Sequence, residues 1–248
     1  LDIRQESGRH RQAISAITEY LGLGNFESWT EQARQNFLIQ ELQSKRPLLP
    51  KFINEPEGSL IQHPDVLEVF ATMRTLAEQP TESLGAYIIS MAEYPSDVLA
   101  VLLLQKEAGI QHPLRVVPLF ETLRDLDGAA KTMSTLFNMH WYKQHIQGKH
   151  EVMIGYSDSA KDAGFLAASW AQYQAQEQLT AGHGPRSVDL DRAHVPHLVT
   201  PLGLLVVAKF VHLTVHERRA HVGVEVQREA GDDDLVGRHR DLLVEIGR

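Results

Sequence analysis

The 248-residue chain contains no cysteine. That excludes a disulfide framework, a thiolate metal site and a cysteine nucleophile. It has no apolar run long enough to span a bilayer. The best candidate, Leu202 to Val211, is short and is interrupted by Lys209. The first residues, LDIRQESGRH, are too polar for a signal peptide. Basic residues are in the minority, 24 Lys and Arg against 32 Asp and Glu, for a formal net charge of −8. This balance argues against a general nucleic-acid binder, which needs a basic face. It leaves room for local basic groups that meet an anionic substrate. The chain also opens mid-strand without an initiator Met, so it reads as an internal piece of something longer.

What is present is an ordinary globular composition, 43% hydrophobic and 23% charged, in a chain long enough to bury a sizeable core. Residues 1–181 alternate short apolar runs with long helical patterns. Leu1 to Ile3 reads as a strand end that delivers Arg4, and a helix follows from about Gly8 to Leu21. Ser28 and Glu31 are spaced as a capping box for a helix running to about Ser44. Lys45 to Phe52 is a proline-broken connector. Pro64 opens a third helix, with Val66, Val69, Phe70 and Met73 as its apolar stripe. Strand candidates follow at Tyr87 to Ala92, Leu114 to Phe120 and Glu151 to Tyr156, each succeeded by helix. Trp29, Trp141 and Trp170 lie at helical positions and read as core or helix-packing residues.

This repeated order predicts an α/β fold of parallel βα units, predominantly helical. Polar residues gather at the carboxyl ends of the strands, as in a (β/α)₈ barrel. Four such units amount to at most half a barrel.

The segment EVMIGYSDSAKDAG carries the densest chemistry. A short strand delivers Ser157, Asp158, Ser159 and Lys161 within five positions, just before a helix. Carboxylate oxygens hold a hard cation, a lysine neutralises phosphate or enolate charge, and hydroxyls orient both. Glu121 occupies the equivalent place after its own strand. If the strands are parallel, Glu121 and Asp158 face the same end of the sheet and can share Mg²⁺ or Mn²⁺. Each also has an ordinary reading, Glu121 as an acid favoured by a helix N-terminus and Asp158 as an N-cap. Lys161 is either a charge-neutralising group or a solvated first-turn lysine. Arg4 is suited to gripping phosphate bidentately, or to a surface ion pair.

The composition shifts near Ala181. Beyond it, Lys209 is the only lysine, Phe210 the only aromatic residue, and seven of the 13 histidines appear. No helical period is evident in 182–248, although Val222 to Val226 alternates like a strand, so the tail is expected to be irregular. It is read either as a second domain or, preferentially, as a frameshifted or misread stretch. His194, His197, His212, His216 and His221 invite a metal reading. The residues between His212 and His216 favour a strand, however, and no HExxH glutamate is present. His140, His145 and His150 are expected around helix ends and loops, and Asp232 to Asp234 in a solvated turn.

Five separated segments resemble one family in the same order: LDIRQESGRH, FLIQELQSKRPLLP, PSDVLAVLLLQKEAG, VVPLFETLRDL and EVMIGYSDSAKDAGFLAASWAQYQAQ. Residues 1–181 are similar to the central part of the phosphoenolpyruvate carboxylases. The resemblance implies a (β/α)₈ barrel elaborated by many extra helices, in a cytoplasmic homotetramer. It implies Glu121 and Asp158 as ligands of Mg²⁺ or Mn²⁺, and Arg4, Ser157 and Lys161 as substrate-binding residues, with Lys161 and Asp158 in the catalytic motif. The implied substrates are phosphoenolpyruvate and bicarbonate, and the products oxaloacetate and phosphate. Bicarbonate attacks the phosphate, giving carboxyphosphate and the enolate of pyruvate; released carbon dioxide is then captured by the enolate.

The family's upstream TAHPT-type histidine motif and its FHGRGG loop have no counterpart in this sequence. The isolated chain is therefore expected to be inactive. Two rivals stand beside this reading. One is another barrel enzyme that uses phosphoenolpyruvate, and the other is a non-catalytic truncated product.

Overall fold

The computed structural model describes residues 3–48, 63–147, 149–155, 157–181, 208–214 and 224–225. Four strands run parallel in chain order: β1 (Ile3–Glu6), β2 (Ala86–Ser90), β3 (Arg115–Phe120) and β4 (Lys149–Gly155). Helices fill the connections. They are α1 (Ser7–Tyr20), α2 (Glu31–Gln43), α3 (Pro64–Glu78), α4 (Pro95–Glu107), α5 (Leu123–Asn138) and α6 (His140–Ile146). After β4 come α7 (Ser157–Ala163) and α8 (Phe165–Ala181). The architecture is a mixed α/β fold, mostly helical, around a four-stranded parallel sheet.

Strand alternation sorts side chains onto two faces. Tyr87, Ile89, Val116, Phe120, Val152 and Ile154 join the main core with Ile14, Ile17, Val69, Met73, Leu99, Leu103, Met133 and Leu136 from the helices. Ala86, Ile88, Val117, Leu119 and Met153 form a smaller buried cluster on the opposite face. The expected stripe of α3, from Val66 to Met73, is buried throughout.

The helix starts are fixed by local chemistry. Asp97, fully buried at the third position of α4, accepts hydrogen bonds from the Glu93 and Tyr94 amides and pairs with Arg11 at 3.1 Å. That contact ties α1 to α4. The capping residue of α2 is Thr30, not Ser28: its Oγ1 accepts from the Ala33 amide. Ser28 instead closes a single 3₁₀ turn capped by Asn25. Glu31 is drawn away from a capping box because both of its oxygens serve Ser96, one on the amide and one on the hydroxyl.

Three other expectations change. Arg4 lies within β1 rather than after it. His150 is a buried residue of β4, since the strand begins two residues before Glu151. Trp170 is exposed, stacked on Tyr173 along the open face of α8. Trp29 and Trp141 do pack against the core.

Part of the tail is regular. Strand β5 (Ala208–Thr214), which includes His212, pairs antiparallel with β4 over seven residues. Strand β6 (Val224–Glu225), within the predicted Val222 to Val226 strand, pairs with β5. The backbone of β4 offers hydrogen-bonding groups on both edges, and β5 occupies the edge away from β3. The later part of the proline connector, His194, His197, His216, His221 and Asp232 to Asp234 lie outside the described residues.

Candidate active site

Because β1 to β4 are parallel, their carboxyl ends lie on one side of the sheet. Ser7, Met91, Glu121 and the start of α7 follow those ends. Glu121 is anchored first through its backbone. Thr122 caps α5, with its Oγ1 accepting from the Asp125 amide. The Asp125 carboxylate accepts in return from the Thr122 amide at 3.1 Å and the Glu121 amide at 3.4 Å. The capping box so fixes the point from which the Glu121 side chain leaves.

That side chain is 5% exposed. Its Oε2 accepts from Arg4 Nη2 at 3.1 Å, an arginine that reaches over from β1. Its Oε1 accepts from the Met91 amide at 3.2 Å. It also shares a hydrogen bond with the carboxyl of Asp158. Asp158 lies in the first turn of α7, inside the helix rather than at its N-cap, and pairs with the exposed Lys161 at 3.1 Å. Ser159 ties this turn down, donating to the Gly155 carbonyl and accepting from Gln172 of α8. Ser157 opens α7, and its side chain lies outside the described residues.

Two carboxyls therefore lie between two cations along one line: Arg4, Glu121, Asp158, Lys161. Burial raises the Glu121 carboxyl above the usual carboxylate range, and the hydrogen bond to Asp158 raises it further; the Met91 amide and Arg4 pull the other way. Asp158 is held below its usual range, first by the hydrogen bond from Glu121 and then by Lys161. Neighbouring carboxyls disfavour each other's ionisation, and a cation between them would relieve that. The opposite shifts make Asp158 the stronger acid of the two.

Among the described residues no group of three or more His, Cys, Asp or Glu side chains is arranged to hold a metal. The pair offers oxygen donors only. Such a set suits a hard divalent cation whose remaining positions belong to water or substrate. Binding there would favour the ionised form of both carboxyls.

A profile of the phosphoenolpyruvate carboxylases matches residues 1–194. The chain belongs to the phosphoenolpyruvate carboxylase family. The match continues past Ala181, where the motif resemblance ends, as far as His194. A protein of Acinetobacter baumannii named phosphoenolpyruvate carboxylase is 88% identical over 194 residues. Proteins of the same name from Acinetobacter baylyi and Alcanivorax borkumensis are 87% and 55% identical over the same length. In each case the match covers 78% of this chain and 22% of the relative. The chain thus spans about a fifth of the length of these phosphoenolpyruvate carboxylases. Among the described residues no helix is long and apolar enough to cross a membrane.

Sequence reasoning did not find Ser7, Met91 or Gly155, which shape the surroundings of Glu121. Gly155 carried a usable signal, because an isolated glycine in a strand often marks a close approach of backbones. An ideal Cβ built on it would lie 3.1 Å from Glu121 Cγ and 3.2 Å from Glu121 Cα. Ser7 and Met91 carried none, since neither residue type announces its backbone geometry.

Proposed function

We propose that this chain supplies the cation and phosphate corner of a phosphoenolpyruvate carboxylase, a cytoplasmic enzyme that forms oxaloacetate and phosphate from phosphoenolpyruvate and bicarbonate. The observation that carries the reading is the Arg4–Glu121–Asp158–Lys161 line at the carboxyl ends of parallel strands. Four parallel strands with helices between them are consistent with half of a (β/α)₈ barrel.

Glu121 and Asp158 would hold Mg²⁺ or Mn²⁺. When bound, the cation supplies Lewis-acid polarisation of the substrate's oxygens. Arg4 and Lys161 flank the pair with positive charge, placed to meet phosphate and to balance charge that develops on an enolate oxygen. Arg4, which pairs with Glu121 through one nitrogen, would be placed to meet phosphate bidentately beside a bound cation. In the whole enzyme, exclusion of water would keep the enolate from taking a proton and leaving as pyruvate.

The test is Mg²⁺-dependent stabilisation. At a Mg²⁺ concentration about a hundred times its Kd, binding to the folded chain alone adds about 2.7 kcal/mol. Thermal unfolding should move up with Mg²⁺ in the parent chain and stay put in Asp158→Ala. An unchanged Mg²⁺ response in that variant would overturn the reading.

A second outcome concerns turnover. The chain spans 22% of its relatives, so the purified 248-residue protein is expected to bind cation without forming oxaloacetate from phosphoenolpyruvate and bicarbonate. A coupled assay for oxaloacetate checks this, and clear turnover would refute it.

A further inference from the structure

Met91 has a backbone that its side chain does not explain. Its φ is +53°, in the left-handed region that residues other than glycine seldom adopt. It follows directly on β2, and three hydrogen bonds hold the bend. The hydroxyl of Ser7, itself 1% exposed, donates to the Met91 carbonyl at 2.7 Å. The next amide, that of Ala92, donates to the Leu119 carbonyl at 3.2 Å. The Met91 amide is thereby turned out of the strand direction and donates to Glu121 Oε1 at 3.2 Å.

Accepting the reading of Glu121 and Asp158 as a cation pair, we propose that Met91 is a positioning residue. Its strained backbone, held at the carbonyl by Ser7, turns the amide that orients the Glu121 carboxylate for the cation. The choice of a backbone donor has a physical reason. Arg4 already brings one positive charge to Glu121 Oε2, and a second cationic donor on Oε1 would add to the repulsion of an incoming cation. A neutral amide occupies one lone-pair direction of Oε1 and leaves the carboxylate's charge intact. Strain retained next to a functional carboxylate is the pattern expected when surrounding contacts over-determine the bend. Here those contacts come from α1, β3 and the residue after β3, and they hold the peptide groups on both sides of Met91.

The experiment is Mn²⁺ titration of the whole chain, with free Mn²⁺ read by electron paramagnetic resonance. Met91→Gly keeps the amide and adopts positive φ at no steric cost, so its Kd should stay within about twofold of the parent. Met91→Val cannot take the left-handed conformation without severe strain. The amide then leaves Glu121, and loss of a hydrogen bond to a charged group should weaken binding roughly tenfold. Ser7→Ala frees the carbonyl end of the clamp and should weaken binding about threefold or more. It decides the matter if Met91→Val does not fold, as judged by circular dichroism.

Parent-like binding by a folded Met91→Val, or by Ser7→Ala where Met91→Val does not fold, would overturn the proposal. Equal losses in Met91→Gly and Met91→Val would overturn it too, since the side chain would then be responsible. Asp158→Ala separates the two levels. If it loses Mn²⁺ while the Ser7 and Met91 variants bind normally, only the positioning role fails. If the parent chain binds no Mn²⁺, both readings fail.

Discussion

Acidification from pH 7 to pH 5 is expected to remove up to about 4 kcal/mol of stability, through two buried histidines. His10 is fully buried, with Nε2 2.9 Å from the Tyr87 hydroxyl and no partner for Nδ1 among the described residues. His150 is buried in β4, with Nδ1 3.2 Å from the Tyr142 hydroxyl and no described partner for Nε2. Burial lowers each imidazole to about 3. Nearby positive charge adds to the effect, from Arg11 and Arg9 for His10 and from Arg115 and His145 for His150. In the unfolded chain each would titrate near 6.5. Between 6.5 and about 3 the unfolded state therefore binds more protons, and stability falls as pH falls through that window. At pH 5 the loss is about 2 kcal/mol for each histidine.

Two carboxyls act in the opposite direction. Asp97 is raised chiefly by burial and Glu121 by burial and Asp158. Each gives stability that is present at low pH and lost as pH rises through its folded value, so together they offset part of the acid effect. Urea denaturation at pH 7 and pH 5 checks the balance. His150→Gln should remove about half of the pH dependence. Equal stability of the parent chain at the two pH values would contradict the prediction. A loss approaching 4 kcal/mol is a large share of the 5–15 kcal/mol that folded domains possess.

The parallel βα order was legible because buried parallel strands are short, apolar and followed by helix. The runs before Glu121 and Asp158 obey that rule, and the structure puts both carboxyls at the same end of the sheet. The Ser28 capping box was misread because spacing alone does not reveal that Glu31 is engaged by Ser96, 65 residues on. His150 was misread because a histidine at the edge of an apolar run looks solvated until Tyr142 of the preceding helix covers it. Trp170 was assigned to packing by residue type, whereas the buried side of α8 is carried by Ala168, Gln172, Ala175 and Leu179. The antiparallel pairing of β5 on β4 joins segments more than fifty residues apart, and local pattern holds no information about such a partner. The ion pair between Arg4 and Glu121 spans 117 residues and was hidden for the same reason.

Gly155→Ala is expected to disable the carboxyl pair while leaving every charged residue in place. The new methyl would sit 3.1, 3.2 and 3.4 Å from Glu121 Cγ, Cα and Cβ. A contact with Cγ alone could be relieved by rotating the side chain. A contact with Cα cannot, because Glu121 is held by the Asp125 carboxylate on its amide and by the neighbouring Phe120–Ile154 register of β3 and β4. The two strand ends must part by a few tenths of an ångström. Overpacking of this kind costs about 1–3 kcal/mol. The displacement also draws Glu121 from the Met91 amide or from Asp158, so Mn²⁺ affinity should fall about tenfold or more. Gly128→Ala is the control. Nothing lies within 4 Å of its Cβ position, and it sits within α5, where alanine should stabilise by about 0.4–1 kcal/mol and leave Mn²⁺ binding alone. Urea denaturation and Mn²⁺ titration of the two variants measure both effects. A Gly155→Ala protein that binds Mn²⁺ as the parent does would mean that the close approach of β4 to Glu121 has no part in holding the cation.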